Sequence, residues 1–241
     1  MKKDKDSKIF RGAYQYYKND SVYSEETFDV YRDRKENSLN FDSVIHCRVA
    51  TGELLSVSVD YTVNKDYVPQ KVIIKRSLGS QESIETYKYD SKKNIITYIF
   101  NNKGTEDVLE IQTPPKFHIT TPVASSSMLF MRAKKVDTTS KSLFSFISSH
   151  NQWTFNERPY FHTIAAQRVS LGAEKMAIGG HNVQATQFRI FAESEEKADE
   201  VVSKDIIRIW LSPYITIPYV IRTDDGNRVQ VKYLNNLQKE D

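Results

Sequence analysis

The sequence IWLSPYITIPYVIRTDDGNRVQVKYL, residues 209–234, has the clearest structural pattern in the chain. Two apolar runs flank the sequence DDGN at 224–227, which favours a tight turn between antiparallel strands. After the turn, Val229, Val231 and Tyr233 alternate with polar residues, which is the period of a half-buried strand. The stretch therefore predicts a β-hairpin, and it carries no catalytic motif.

The same alternation recurs upstream and is clearest at 54–63, where every second residue is apolar and the residues between are Ser, Asp or Thr. This pattern predicts an antiparallel strand with one face in the core. The hairpin adds a strand at 228–234. Further strands are predicted at 9–17, 44–49, 71–76, 83–89, 95–100, 107–112, 143–148, 152–155, 160–169, near 171–178, 182–191, 206–211 and 215–222.

Two segments depart from the strand pattern. The segment 122–134 predicts one short helix, with Thr121 as its N-cap and Pro122 at its first position. The charged segment 193–202, ESEEKADEVV, predicts a surface loop with one helical turn.

These elements predict a mainly-β fold in which one strongly curved antiparallel sheet forms a half-barrel or a closed barrel. A sheet of roughly a dozen strands tends to curl or close, and the helix near 122–134 is expected against its concave face. The length of 241 residues suits one large β-domain. We predict this domain at 9–234, with a disordered start at 1–8 and a frayed tail at 235–241.

The composition narrows the function classes. The 34 basic and 31 acidic residues nearly balance, giving a net charge of +3 and no reason to expect a nucleic-acid partner. The single cysteine, Cys47, excludes an internal disulfide and a cysteine-based zinc site. Because Cys47 shares strand parity with Ile45 and Val49, it is predicted to be a core thiol.

The sequence predicts no membrane-spanning segment, because no run approaches the roughly 20 apolar residues that a spanning helix needs. The first residues, MKKDKDSK, lack the apolar segment of an intact signal peptide. We therefore expect a cytoplasmic protein if this N-terminus is native, and a periplasmic one if a signal peptide has been removed. The oligomeric state stays open.

Several motifs occur in an order similar to that of a bacterial domain family of unknown function, found mostly in envelope proteins. They are GAYQY at 12–16, MLFMR at 128–132, Glu174 and Gly179 before the strand at 183–191, and Trp210-Leu211-Ser212 followed by Pro218 and Gly226. That family resembles the periplasmic lipoprotein-localisation factors in fold. The resemblance implies a β half-barrel or closed barrel with an apolar interior. It implies no particular activity.

The usual signatures of cofactor and metal chemistry are missing. The five histidines lack the spacing that places two ligands on one face of a strand or helix, so we predict no metal site. There is no G-x-S-x-G elbow and no glycine-rich phosphate loop, so we predict no cofactor. The serines at 125–127 fit the cap of the predicted helix.

Basic and aromatic residues on the strands are the remaining candidates. Their alternation is compatible with an outer face in solvent. The alternative is that some of these residues line a cavity that holds a small hydrophobic or amphipathic molecule with an anionic head. The candidate ligand-binding residues are Tyr14, Tyr16, His46, Arg48, Arg132, Trp153, Arg189, Arg208, Trp210 and Tyr214. Binding of such a molecule is the first functional prediction.

The alternative is a cofactor-independent lyase, isomerase or cyclase. In this hypothesis His162 or His118 acts as general acid–base, with Tyr160 and arginines as partners. It requires a histidine within hydrogen-bond reach of a second polar group inside a cavity. A third hypothesis is a structural envelope protein that acts through its edge strands.

Overall fold

The structure is a computed structural model that describes residues 8–133, 135–178, 180–192, 206–212 and 216–238. Almost all regular structure in these ranges is β-strand. The strands are β1 (Lys8–Lys18), β2 (Ser21–Asp33), β3 (Ser38–Arg48), β4 (Leu54–Val63), β5 (Pro69–Leu78), β6 (Gln81–Asp90), β7 (Ile95–Asn102), β8 (Thr105–Gln112), β9 (His118–Ile119), β10 (Ser142–Ser148), β11 (Tyr160–Arg168), β12 (Glu174–Ile178), β13 (His181–Ala192), β14 (Ile207–Leu211), β15 (Pro218–Arg222) and β16 (Asn227–Asn236).

The strands form one large sheet that hydrogen bonds do not close. Its order is β8-β7-β6-β5-β4-β3-β2-β1-β16-β15-β14-β13-β11-β10-β9, with β12 paired to β13 alone. Strands β1 to β8 are a meander in which each pairs with its neighbour in sequence. Among the described pairs, β9–β10 is the parallel one. The predicted mainly-β fold on one large antiparallel sheet is confirmed.

Strand β4 shows why the alternation was informative. Val57, Val59, Tyr61 and Val63 are buried, while the Ser, Asp and Thr residues between them are more exposed. Burying each of these apolar side chains contributes about 1.5–3 kcal/mol relative to leaving it in water. The strand bounds match the predicted range 54–63.

Strand β2 was not predicted. Its buried face carries Ser24 and Glu26 before Phe28 and Val30, so the first half lacks an apolar alternation. Conversely, a strand was predicted at 152–155, and this prediction is wrong because these residues form an irregular loop. Their backbone is held by side chains of other elements rather than by a strand ladder.

The predicted helix is much shorter than 122–134. The segment consists of turns and one 3₁₀ turn, η1, at Leu129–Arg132. Thr121 does not cap a helix, and its hydroxyl lies 3.1 Å from that of Ser126. The N–H groups of Ala124 and Ser125 instead bind the buried carboxylate of Glu26. This tertiary contact outweighs the local helix-start signals.

The buried apolar residues form two cores, and η1 contributes to both. The first core is built largely by β1 to β8 and includes Leu129 of η1. The second core consists of Met128, Phe130, Val136, Phe144, Phe146, Ala166, Ile190, Ile209 and Leu211. The segment around η1 therefore lies between the two halves of the sheet.

The β9 edge of the sheet is packed against β4 and its neighbours. The N–H of Ile119 donates to the hydroxyl of Tyr61 at 3.2 Å. Phe117, Ile119 and Ile147 belong to the first core, whereas Phe146 belongs to the second. Both faces of β10 are therefore covered.

Several predicted features lie outside the described residues. They are the loop at 193–202, the ligand candidate Tyr214 and the ends of the chain at 1–7 and 239–241. Within the described ranges, no helix has the length and apolar character needed to cross a membrane.

Candidate functional site

A cavity of about 280 Å³ lies between η1 and strands β11, β13 and β14. Strands β11 and β14 contribute side chains at their C-terminal ends, whereas β13 contributes side chains from its middle. Its lining residues are Met131, Arg132, Val136, Arg168, Thr186, Phe188, Leu211, Ser212 and Thr216. The walls thus combine four apolar side chains with two arginines and three hydroxyl-bearing residues.

Arg168 is the more buried of the two arginines that line this cavity. Its backbone N–H donates to the carbonyl of Asp137 at 2.9 Å, and its Nη2 donates to the carbonyl of Leu171 at 2.9 Å. Its Nε is buried and has no hydrogen-bond acceptor among the described residues. The side chain is therefore held in place with one buried donor directed at no protein acceptor in the described part.

The lining carries positive charge. Arg132, the last residue of η1, is exposed at the rim, and Arg168 is partly buried. No Asp or Glu is among the described residues that line the cavity. Thr186 and Thr216 are mostly buried. The arrangement can accept an anionic or hydrogen-bonding group next to an apolar body.

Of the ten predicted ligand-binding residues, Arg132 lines the cavity and the other described ones lie elsewhere. His46 and Arg48 are exposed on β3, and Arg189 is exposed on β13. Arg208 pairs with Asp224. These positions are compatible with the solvent-facing alternative.

The aromatic candidates are mostly parts of the packing. The Tyr14 hydroxyl donates to the carbonyl of Pro218 at 2.7 Å. Trp153 is half-buried, and its carbonyl accepts a hydrogen bond from Asn102. Trp210 packs against the first core, with the guanidinium of Arg222 5.5 Å from its ring centre.

Cys47 was predicted to be a core thiol and is only half-buried. It lies next to the last residue of β3, close to the turn that leads into β4, where the core no longer covers the strand.

Glu26 forms a buried polar cluster that was not predicted. Its carboxylate accepts hydrogen bonds from the Tyr16 hydroxyl at 2.5 Å, the Ala124 N–H at 2.8 Å and the Ser125 N–H at 3.1 Å. Ser43 and Ser125 add a hydroxyl pair at 2.6 Å. Burial raises the pKa of Glu26, against the lowering effect of these donors. The cluster ties β1, β2 and β3 to the segment that precedes η1.

Glu85 centres a second buried cluster that was also missed. It pairs with Arg76 at 2.6 Å and accepts from the hydroxyls of Tyr87 at 3.2 Å and Tyr98 at 3.0 Å. Tyr98 in turn accepts from the Asn151 side chain at 3.1 Å. Burial and the nearby Glu85 carboxylate raise the pKa values of both tyrosines. This cluster fastens the loop after β10 to β5, β6 and β7.

The two histidines predicted for catalysis lie among aromatic rings. His118 is buried, with ring centres of Phe130, Phe144 and Phe146 within 5.5–6.3 Å. His162 lies 5.8 Å from Phe146, and burial lowers its pKa. Neither residue lines the described cavity.

Tyr160, the third predicted catalytic residue, forms a hydrogen bond with His150 rather than with His118 or His162. Its hydroxyl lies 2.8 Å from Nε2 of His150, and Nδ1 of His150 lies 2.7 Å from the Glu157 carboxylate. All three side chains are exposed. The structure thus forms a carboxylate–imidazole–phenol chain at the surface.

No group of three or more His, Cys, Asp or Glu side chains in the described part of the chain could hold a metal ion. No family model matches the sequence. A search of curated proteins finds no match either.

Solved structures with a similar fold exist. A beta-barrel-like protein of the domain-of-unknown-function family DUF1849 from Brucella abortus is 10% identical, with a TM-score of 0.52 over 96% of this chain and 98% of that chain. A DUF1089 family protein from Pseudomonas aeruginosa is 8% identical, with a TM-score of 0.50 over 84% of this chain and 90% of that chain. At such identities the likeness is one of fold alone. The chain is therefore similar to bacterial, β-barrel-like proteins of families without an assigned function.

Proposed function

We propose that this protein binds a small hydrophobic or amphipathic molecule in the cavity beside η1. The observation that carries the proposal is the mixed lining, in which apolar side chains such as Met131, Phe188 and Leu211 lie beside arginines and hydroxyl groups, as an amphipathic molecule would require. Ligand sites are typically concave and mostly apolar, with a small number of placed polar groups.

The packing of the two halves also supports the proposal. The Glu26 and Glu85 clusters fasten loop segments into the β1–β8 half. The cavity lies in the other half, beside the second core. A ligand here would extend the second core rather than replace its side chains.

The proposal is tested by filling the cavity. Binding of the neutral fluorescent probe N-phenyl-1-naphthylamine would be measured for the wild type and for Met131→Trp, whose indole would occupy the space beside Arg132. We expect the variant to lose probe binding. Met176→Trp is the control, because Met176 is also half-buried but does not line the cavity. Probe binding that survives in Met131→Trp, or is absent from the wild type, would contradict the proposal.

A second candidate function is cofactor-independent acid–base catalysis, favoured by the Glu157–His150–Tyr160 chain. A carboxylate that orients an imidazole leaves its other nitrogen able to accept a hydroxyl proton. The test is turnover of a mixture of small enolisable compounds, followed by NMR. Tyr160→Phe and His150→Gln should abolish any turnover, whereas the exposed His46→Gln should not.

A further inference from the structure

We propose that the end of the sheet beside the cavity docks on an anionic lipid bilayer, through lysines in three turns and the exposed Leu171. This inference goes beyond the proposed function, and it does not require that the cavity holds a ligand. It names a partner surface for the protein.

The three turns lie at one end of the sheet, and the cavity lies at the same end. Strands β1 to β8 form an antiparallel meander, so the turns at 34–37, 64–68 and 91–94 share an end. Every pairing from β1 through β16, β15, β14 and β13 to β11 is also antiparallel. Strands β14 and β11 therefore finish at this end, with the cavity residues Leu211 and Arg168.

Each turn is built around a capping side chain at its start. The N–H of Lys35 donates to Oδ1 of Asp33 at 2.8 Å, and the N–H of Lys92 donates to Oδ1 of Asp90 at 2.9 Å. The uncharged Asn64 has the same role in the middle turn. Two carboxylates of this end thus bind the backbone of their own turns, while the lysine side chains extend into solvent.

The lysines of these turns are not neutralised by neighbours. Lys35, Lys65 and Lys92 are exposed, and none of them forms an ion pair within the described part of the chain. Their turns are two strands apart, so neighbouring turns are separated by about 10 Å. This is about one Debye length at 0.1 M salt, and the three charges therefore act together on a charged surface.

Two more lysines add to this charge. Lys71 of β5 lies directly opposite Lys88 of β6, and both side chains are exposed. Like charges in directly opposite positions destabilise a sheet. An anionic surface would remove this repulsion, so the pair favours an anionic partner at this end.

The opposite end of the sheet uses its cations differently. Lys18 pairs with Asp225 at 3.3 Å, beside the turn between β15 and β16. Arg228 pairs with Asp20 at 3.4 Å in the adjacent turn. The turns beside the cavity thus present more unpaired positive charge than those at the opposite end.

Leu171 favours a bilayer over a soluble polyanion. It is 88% exposed in the segment after β11, and its carbonyl accepts a hydrogen bond from the cavity residue Arg168. Val169, two residues earlier, is also exposed. A bilayer interface accepts such apolar side chains while its anionic head groups attract lysines. A nucleic acid would attract the lysines but offers little to an aliphatic side chain.

Vesicle flotation tests the docking. The probes are vesicles of phosphatidylcholine alone and vesicles that mix phosphatidylcholine with phosphatidylglycerol in a ratio of about 2:1. We expect the wild type to float with the anionic vesicles at an ionic strength of about 0.05 M, and to float less as salt is added. It should not float with phosphatidylcholine alone.

A charge variant assigns the effect to the three turns. Lys35→Gln, Lys65→Gln and Lys92→Gln combined should weaken binding to the anionic vesicles at least about tenfold. The matched control removes the same charge from exposed lysines towards the opposite end, by combining Lys18→Gln, Lys75→Gln and Lys103→Gln. The control should bind like the wild type to within about twofold.

A second variant tests the apolar contact. Leu171→Ala should weaken vesicle binding about fivefold, because the interface loses a buried aliphatic side chain. Leu54→Ala is its control, since Leu54 is 55% exposed at the opposite end of the sheet. Both variants change exposed residues and should fold like the wild type.

The outcomes separate docking from ligand binding. Failure of the wild type to float with anionic vesicles at low salt would overturn the docking proposal, as would equal losses for the two lysine variants. Binding to a single-stranded RNA that depends on the three lysines, with vesicle binding unaffected by Leu171→Ala, would replace the bilayer with a nucleic acid. Binding of N-phenyl-1-naphthylamine in the cavity is measured without vesicles, so the proposed function stands or fails independently.

Discussion

Glu26 holds the backbone of the segment before η1 in place through hydrogen bonds. Its carboxylate accepts three hydrogen bonds, two of them from the backbone of that segment. Glu26→Gln replaces one acceptor oxygen with a donor that faces N–H groups. We expect a loss of about 2–4 kcal/mol in the free energy of unfolding, measured by urea denaturation at pH 7.

Glu25 provides a matched control. It is the adjacent residue of the same type, but its side chain is half-exposed and pairs with Lys232 at the surface. Glu25→Gln should change stability by less than about 1 kcal/mol. Equal losses for the two variants would show that burial of Glu26 does not matter.

The same residue predicts a pH dependence. Burial raises the pKa of Glu26 above its ordinary value of 4.5. Between that value and the raised one, the folded protein keeps a proton that the unfolded chain has released, so this group's contribution to stability falls as pH rises. The difference in unfolding free energy between wild type and Glu26→Gln should therefore widen as the pH falls from 7 towards 5. A difference that narrows as the pH falls would show that folding lowers the pKa of Glu26 instead of raising it.

At the scale of elements, the loop after β10 is organised by one buried side chain. Asn151 donates to the carbonyl of Glu157 at 2.7 Å and accepts from the N–H groups of Asn156 at 2.8 Å and Glu157 at 3.2 Å. Asn151→Ala leaves these groups unpaired and should cost about 2–3 kcal/mol by denaturation. Amide exchange at 156 and 157 should accelerate. Asn156→Ala, at an exposed position, should stay within about 0.5 kcal/mol of the wild type.

How far the sequence predicts an element depends on what its buried face carries. Strand β4 was predictable because its buried residues, such as Val57, Val59 and Tyr61, are apolar and alternate with polar ones. Strand β2 was not, because its buried Glu26 is compensated by donors more than ninety residues away. The helix predicted at 122–134 does not form for the same reason. The donors to Glu26 are the N–H groups of Ala124 and Ser125, which lie in the first turn of that predicted helix.

The candidate site was predictable only in part. Arg132 was identified from its place at the end of an aliphatic and aromatic run. Arg168 was not among the predicted site residues, because nothing in the sequence shows that β11 pairs with β13 and brings Arg168 opposite Phe188. The two arginines line one cavity because η1 packs beside β11, β13 and β14, and local sequence patterns do not encode that tertiary arrangement.

At the scale of the whole molecule, the first and last described strands are neighbours. Strand β1 pairs with β16, and the N–H of Leu237 donates to the carbonyl of Ile9 at 2.9 Å. A circular permutant that joins the chain ends by a flexible linker should therefore fold when it is opened in the exposed turn at Lys103-Gly104. Circular dichroism and a cooperative thermal transition would check this. Opening within β3, between Ser43 and Val44, is the control that should fail.

The β1–β16 pairing also sets how the molecule would respond to mechanical force. In this antiparallel ladder Phe10 lies opposite Asn236, and Lys18 lies opposite Asn227. Both chain ends thus leave the sheet at the same end of the ladder. Tension applied to the ends would load its hydrogen bonds one pair at a time, as in a zipper, instead of shearing them together. The β1–β16 pairing should therefore separate under a small force, although it is the pairing that joins the two halves of the sheet.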